Sequence, residues 1–479
     1  ALRVRLQDTQ AKLLITADGY YRRGQIIPLK QNADEGISET NVRKVIVVRR
    51  LGERIQVPWH KERDIWWHDL VANESDECKP TIIDAEDTLF ILYTSGSTGK
   101  PKGCVHVCGG YAVQAQWTAK WIFDLKDDDM FWSMADIGWI TGHTYSCYGP
   151  LLNGVTFLIF EGAPDFPTPE RWCQIIEKYG VTTFYTAPTA IRMFEKYGEE
   201  IPKKYSFKTL QLLGSVGEPI DEAAWKWYYE YVGKKRCPIV DTWWQTETGG
   251  ILITSLPGIG PFRPAFAGLP FPGVKAEIFD DKGKKLPPGQ KGSLVILPPF
   301  APGLLRGIYK NPKKYKETYW SQFGEKVYFT SDAALKDKRG LVRIIGRLDD
   351  VIKVAGHRLS TGEMENAINL HPDISECAVV GVPDEIKGEV PVVFVVYRGT
   401  KPHDQIVQET IAQIRKAIGP IALPKMVYTV PDLPKTRSGK IMRRILKRLL
   451  TNEDLGDLST LANPESVEHI REIINKHAK

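Results

Sequence analysis

Residues 93–103 read YTSGSTGKPKG, eleven positions that hold three glycines, two serines, two threonines and two lysines. Just upstream, TLFILY from Thr88 to Tyr93 is an apolar run of strand length; downstream, Val105, Val107 and the pair Gly109 and Gly110 suggest a second short strand and a turn. A strand therefore delivers the chain into a loop of small residues. Backbone N–H groups approach an anion closely where side chains are small, the hydroxyls add donors, and Lys100 and Lys102 add positive charge, so the loop suits a polyphosphate. It is not a Walker A loop, which needs glycine where this chain has Thr94 and a Ser or Thr where it has Pro101. Nor does it fit GxGxxG.

Composition narrows the setting. A chain of 479 residues predicts about three domains or subdomains, and 42% hydrophobic with 25% charged residues is the balance of an ordinary globular protein. The net charge of +6 comes from 64 basic residues dispersed among 58 acidic ones, which suits anionic small molecules and excludes a nucleic-acid signature. Seven scattered cysteines make no disulfide framework and point to a reducing, cytoplasmic setting. No run of eighteen apolar residues marks a membrane span.

Outward from the loop, KLLIT at 12–16 and VRKVIVV at 42–48 read as strands of a parallel sheet, with a glycine-containing turn, ADGYYRRGQ, following the first. Cys104, His106 and Cys108 alternate onto one face of a strand, but CxHxC is no usual zinc spacing and reads as core packing. Residues 131–149 mix aromatics, glycines and isolated polar groups, as the wall of a buried pocket does. From 151 to 251 strands and helices alternate, which predicts a doubly wound sheet with ligand loops at the carboxyl ends of its strands. Two such loops are GSVGEP at 214–219 and DTWWQTETGG at 241–250. Glycines and prolines from 257 to 302 punctuate a small antiparallel β subdomain. YFTSD ends on Asp332, a residue type suited to ribose hydroxyls, and LPKTRSGKIMRR at 433–444 puts Lys440 on a short exposed turn.

TSGSTGKPKG resembles the phosphate loop of the adenylate-forming enzymes: acyl-CoA synthetases, peptide-synthetase adenylation domains and luciferases. The resemblance runs along almost the whole chain and narrows to the AMP-forming acetyl-CoA synthetases. It implies an α/β fold: a large N-terminal domain of doubly wound sheets, residues 1–349, with a β-rich subdomain at about 255–345, then a small mobile α+β domain, 350–479, turning about Asp349. In that family the N-terminal domain begins well upstream of Ala1, so an upstream portion is expected to be missing.

The resemblance also implies roles. ATP and AMP are held by Thr94, Ser95, Gly96, Ser97, Thr98, Gly99, Lys100, Gly217, Glu218, Pro219, Asp241, Thr242, Trp243, Trp244, Gln245, Thr246, Asp332, Arg347 and Arg358. Glu247 and His371 are the Mg²⁺ contacts, and Lys440, Thr246 and Glu247 the catalytic set. Coenzyme A is held by Arg22, Thr141, Ala355 and Arg415; the family has a second arginine where this chain has Gln25, so either CoA binds more weakly or Arg23 substitutes. Ile140, Thr141, Val216 and Trp244 line the acyl pocket, where an indole in place of a small residue admits only a very short acid. Ile140 replaces a common valine and Ser331 a glycine. Lys440 is also an expected acetylation site, with a lysine acetyltransferase and deacetylase as partners.

The activity implied is ATP-dependent ligation of acetate to CoA through acetyl-AMP. Three rivals remain: a propionyl-CoA synthetase, an adenylation domain that loads a carrier protein, and a non-catalytic nucleotide-binding protein. A panel of acids, transfer to free CoA and pyrophosphate formation separate them in turn.

Overall fold

The protein is described from a computed structural model covering residues 2–94, 101–348, 351–354, 357–436, 440–456, 458 and 461–477; of Val351, Lys353, His357, Arg358 and Ser360 the backbone alone is described. The expected phosphate-loop residues Ser95, Gly96, Ser97, Thr98, Gly99 and Lys100, the hinge Asp349, Ala355 and the Arg358 side chain lie outside it.

The first strands follow the apolar runs. β1 (Leu13–Ala17) pairs in parallel with β4 (Lys44–Val48), and β4 with β5 (Asp64–Trp66). Between β1 and β4, the expected glycine turn is a complete hairpin, β2 (Tyr20–Arg22) and β3 (Gln25–Ile27), with Arg22 opposite Gln25. Its two turn residues, Arg23 (φ 48°) and Gly24 (φ 77°), both have positive φ, the geometry whose twist matches paired strands. β6 (Thr88–Thr94) and β7 (Lys102–Val107) are antiparallel, with Thr94 opposite Lys102, so they close the base of the phosphate loop. Gly109 and Gly110 form no turn. They open the helix Cys108–Ile122, where a Cβ on Gly110 would lie 2.2 Å from the Pro302 carbonyl oxygen, so close packing rather than a turn requires them. Cys108 therefore leaves the strand that carries Cys104 and His106, both fully buried.

The central sheet is parallel throughout: β8 (Met130–Ser133), β9 (Thr156–Leu158), β10 (Thr183–Thr186), β11 (Leu212–Ser215) and β12 (Ile239–Asp241), in the order β12-β11-β10-β8-β9. Alternation sorts its side chains. Trp132, Phe184, Leu213 and Ile239 join one core with Trp172, Ile176, Ile191 and Trp227, whereas Phe131, Tyr185, Leu212 and Val240 join another with Ala119, Ile122 and Tyr145. Both faces are buried, as a doubly wound sheet requires. Helix Arg171–Tyr179 turns Trp172, Cys173, Ile175 and Ile176 inward and ends on Gly180 in the left-handed conformation.

Next come β13 (Ile253–Thr254) and β14 (Leu269–Pro270), then β15 (Lys275–Phe279), β16 (Lys291–Leu297), β17 (Gly307–Ile308), β18 (Tyr328–Lys336) and β19 (Val342–Arg347). β15-β16-β18-β19 is the antiparallel sheet expected from the glycines and prolines, while β17 pairs with β7. Within β18, Ser331 has φ 60°, so the strand kinks just before Asp332. A conformation that glycine adopts freely is thus held by a serine.

β20 (Val351–Val354), β21 (His357–Ser360), β22 (Ile374–Asp384), β23 (Gly388–Tyr397) and β24 (Met426–Val430) make a final five-stranded sheet, mostly antiparallel, with β24 parallel to β23. Helices Thr361–Asn369 and His403–Ala417 cover one face through Met364, Ile368, Ile406 and Ile414; Arg443–Thr451 and Glu465–His477 cover the other through Ile445, Leu446, Val467 and Ile470. No helix among the described residues is long and apolar enough to cross a membrane.

A buried ionic cluster stands beside β5. Lys30, fully buried, lies 2.7 Å from Asp34 and 2.8 Å from Asp64, and Arg63 Nε is 2.6 Å from Asp64. Burial alone would raise the Asp64 carboxyl, but bonds from Arg63, Lys30 and the His60 N–H outweigh it and bring the pKa down to about 2. A depressed carboxyl stabilises the fold above its unfolded pKa near 4, and that contribution disappears as pH falls from about 4 to about 2. Replacing Asp64 by Asn leaves Lys30 and Arg63 to share Asp34 and is expected to lower stability by about 3 kcal/mol at pH 7 and to flatten the acid limb, read by urea denaturation at several pH values. At the β18 kink, Ser331→Val should cost about 1–2 kcal/mol while Ser331→Gly costs nothing; equal urea midpoints for the two would refute strain at that position.

Candidate active site

Three distant segments meet at one carboxylate. The Trp243 Nε1–H donates to Asp332 Oδ2 at 3.0 Å, Gln245 Nε2 donates to the same oxygen at 2.8 Å, and Arg347 Nη1 lies 3.6 Å from Oδ1. Gln245 also donates to the Thr330 carbonyl at 2.8 Å and accepts from the Tyr328 hydroxyl at 3.1 Å. Asp332 is 6% exposed; burial pushes its carboxyl up to about 6, opposed by the Arg347 charge and, more weakly, by Lys440. The sequence-predicted Trp243, Gln245, Asp332 and Arg347 are thereby brought together, and the Lys440 charge acts on the same place.

β12 ends on Asp241, whose carboxyl burial pushes up to about 7. Thr242 donates through both N–H and hydroxyl to the Ser215 carbonyl, at 3.0 and 2.7 Å, so the 241–245 loop is tied to the end of β11. The Thr242 hydroxyl oxygen lies 2.7 Å from the Tyr185 hydroxyl. Gly217 follows β11 with φ 96°, and Glu218 accepts from Arg192 Nη2 at 2.8 Å and from the Thr189 hydroxyl.

The next turn is clamped. In Thr246–Thr248, Gln245 N–H donates to Thr248 Oγ1 at 3.0 Å, and Gly249 has φ 70° with space only for hydrogen, since a Cβ would lie 2.4 Å from the Gly303 carbonyl oxygen. The buried His106 ring spans the Thr246 and Gly303 carbonyl oxygens, 2.8 Å from Nε2 and 3.1 Å from Nδ1, and burial holds its pKa down to about 4. Leu305 N–H donates to the Glu247 carbonyl at 2.7 Å, and the Thr144 hydroxyl to the Gly249 carbonyl at 3.0 Å. The Glu247 carboxylate accepts at Oε1 from the Tyr319 hydroxyl at 2.6 Å, with Lys102 Nζ 3.6 Å away. The sequence assigns no role to Tyr319 or Tyr328 and reads His106 as core packing.

Trp244 packs edge-on to Tyr145, centroids 5.1 Å apart, and lies between the group containing Val216 and the one containing Tyr111 and Ile140. Val216, Trp244 and Ile140, three of the four residues expected at the acyl pocket, therefore belong to adjoining clusters joined by the Trp244 indole, and Thr141 follows Ile140 in the short helix Ile140–His143.

The expected CoA residues are spread out. Arg22 is on the β2 hairpin, and Arg415 is exposed in the last turn of His403–Ala417. Arg23 is turned to Asp165, both carboxylate oxygens at 2.8 Å, so its guanidinium is already engaged. His371 has both ring nitrogens engaged: Nδ1 accepts from the Asp373 N–H at 3.2 Å, which leaves Nε2–H to donate to Glu409 at 2.6 Å. The ligand atoms of His371, Asp373 and Glu409 lie within 4.8 Å of one another, and Lys401 bonds both carboxylates at 2.9 Å. That group already contains its own cation. Lys440 is exposed, and its carbonyl accepts from the Thr436 N–H at 2.8 Å.

Residues 1–309 match the AMP-binding enzyme family and residues 363–440 the AMP-binding enzyme C-terminal domain. Similar proteins include the acetyl-coenzyme A synthetases of Rubrobacter xylanophilus (51% identity; 98% of this chain, 73% of that protein) and Pyrobaculum aerophilum (50%; 98% and 71%). That of Mycobacterium tuberculosis is 51% identical over 98% of this chain and 74% of its own length. Among solved structures, acetoacetyl-CoA synthetase from Streptomyces lividans superposes with a TM-score of 0.86 at 23% identity, over 100% of this chain and 73% of that one, a likeness of fold. Since residues 1–309 are more than half of the 479, and relatives near 50% identity span almost all of it, the chain belongs to the AMP-binding enzyme family.

Proposed function

We propose that this chain is an acetate–CoA ligase of the AMP-forming type, using ATP, CoA and Mg²⁺. The observation that carries the reading is identity of about 50% to acetyl-coenzyme A synthetases over 98% of the chain. The packing supports it, because the Trp244 indole is held edge-on against Tyr145, three residues before Glu247, as a fixed bulky group that limits the length of an acid.

In the first half-reaction an acetate oxygen attacks the α-phosphorus of ATP, and the bond to pyrophosphate breaks, giving acetyl-AMP. In the second, the CoA sulfur attacks the acetyl carbon, the bond to AMP breaks, and the thiol proton is released. Little covalent work falls to the protein; positioning and charge compensation dominate. Asp332 and Arg347 take the ribose, the 241–245 backbone and Gly217 to Pro219 flank the base, and Thr246 donates to the α-phosphate. The residues from Thr94 to Lys100 cradle the phosphates. Glu247 offers Oε2, which accepts no hydrogen bond among the described residues, a hard donor that fits Mg²⁺, which when bound neutralises phosphate charge. Lys440 adds a point charge where negative charge builds at the α-phosphate. Ile140, Thr141, Val216 and Trp244 bound the acid, and Arg22 and Arg415 take the CoA phosphates.

Residues 1–349 then act as the adenylation domain and 350–479 as the domain that carries Lys440 and turns about Asp349 between half-reactions. Separate cores in the two parts support such movement. The exposed position of Lys440 suits a cytoplasmic acetyltransferase and deacetylase, since acetylation removes the charge used in the first step.

Acetate-dependent exchange between ATP and pyrophosphate is the direct test. Exchange should favour acetate over propionate and butyrate, and Lys440→Ala should lower it by about 10²–10³-fold. Nucleotide binding without exchange for any acid would overturn the reading. Trp244→Gly should lower kcat/KM for acetate and raise it for butyrate, each by tenfold or more, because about 1–3 kcal/mol attaches to each methylene in such a pocket.

A further inference from the structure

Helix Pro312–Tyr319, capped by Asn311, delivers a buried phenol to the Glu247 turn. Tyr319 is 3% exposed, its ring stacks on Tyr328 with centroids 5.6 Å apart, and Tyr315 lies 5.9 Å from it in a tilted contact. The ring is therefore held by packing. Its hydroxyl donates to Glu247 Oε1 at 2.6 Å and accepts from Lys102 Nζ at 3.0 Å, while the same ammonium lies 3.6 Å from Oε1.

A buried tyrosine needs a hydrogen-bond partner, and any nearby acceptor would satisfy that need. Here the contact is one-sided in a way that structural satisfaction does not require. Both the phenol and the ammonium make their contact at Oε1, and among the described residues Oε2 accepts no hydrogen bond. A phenol keeps its proton near neutral pH, so the group is a donor to the carboxylate. Lys102, expected from the sequence to serve the phosphates, is instead turned toward this pair.

We propose that Tyr319 is a positioning residue for adenylation: with Lys102 it fixes Glu247 by one oxygen so that the other is presented to the divalent cation of the nucleotide complex. The inference rests on the ligase reading of the preceding section. Neighbours of this kind orient ligands and set metal affinity without touching the metal.

Tyr319→Phe keeps the ring and removes the bond. In the full chain, Mn²⁺ binding is followed by electron paramagnetic resonance in the presence of α,β-methylene-ATP, alongside the Mg²⁺ dependence of acetate-dependent exchange. The variant should bind Mn²⁺ about tenfold more weakly and need about tenfold more Mg²⁺ for half-maximal exchange, with exchange at saturating Mg²⁺ within about threefold of the parent. Lys102→Met should shift both in the same direction. Unchanged metal affinity in a variant whose urea midpoint matches the parent, or an equal loss at every Mg²⁺ concentration, overturns the proposal. Should Tyr319→Phe fail to fold, Lys102→Met decides by the same two readouts. A parent chain without exchange would remove the ligase reading, and the Mn²⁺ measurement would still decide the role of Tyr319.

Discussion

The site depends on a buried carboxylate that needs partners. Asp332 sits under a dense aromatic layer at 6% exposure, where an unpaired charge would be strongly unfavourable. Trp243, Gln245 and Arg347 supply the compensation, and in doing so they fasten the loop after β12 to the strands β18 and β19 of another sheet. The parallel sheet and the antiparallel subdomain are thereby locked at one register. Gln245 extends the junction to Tyr328, which stacks on Tyr319, so order at Asp332 carries through packed rings to the carboxylate of Glu247.

A second constraint is backbone crowding at the Glu247 turn. His106, Thr144 and Leu305 bond three carbonyls of a five-residue stretch, and Gly249 has no room for a side chain. Each tether comes from a different part of the chain. A turn held in this way presents Thr246 and Glu247 without needing a ligand to order it, which is what catalysis by positioning demands. The contrast with His371 is instructive: its two ring nitrogens are satisfied by Asp373 and Glu409, and Lys401 supplies the positive charge there.

Much of this was legible in the sequence for local reasons. The runs at 12–16 and 42–48 are apolar and β-branched, so they could be assigned to parallel strands, and the alternation from 151 to 251 announced a sheet buried on both faces. DTWWQTETGG and YFTSD named most of the residues that meet at Asp332. Other readings failed because local signals are ambiguous. Gly109 and Gly110 suggest a turn by composition, yet they begin a helix, since what excludes a side chain there is Ala85 at the first and, at the second, the Pro302 carbonyl, nearly two hundred residues away in sequence. The serine at 331 looked like a mild substitution until its positive φ showed what the position asks of the backbone.

Contiguous residues determined the strands, the small-residue loop, the tryptophan pair at 243–244 and the family, because strand periodicity, turn chemistry and motif spacing are properties of neighbours along the chain. Tertiary structure alone decided that Tyr319 and Lys102 share one oxygen of Glu247, that Arg23 is committed to Asp165, and that His106 braces the turn at Thr246. Those choices follow from the directions of hydrogen bonds between segments far apart in sequence, brought together only once both sheets have packed.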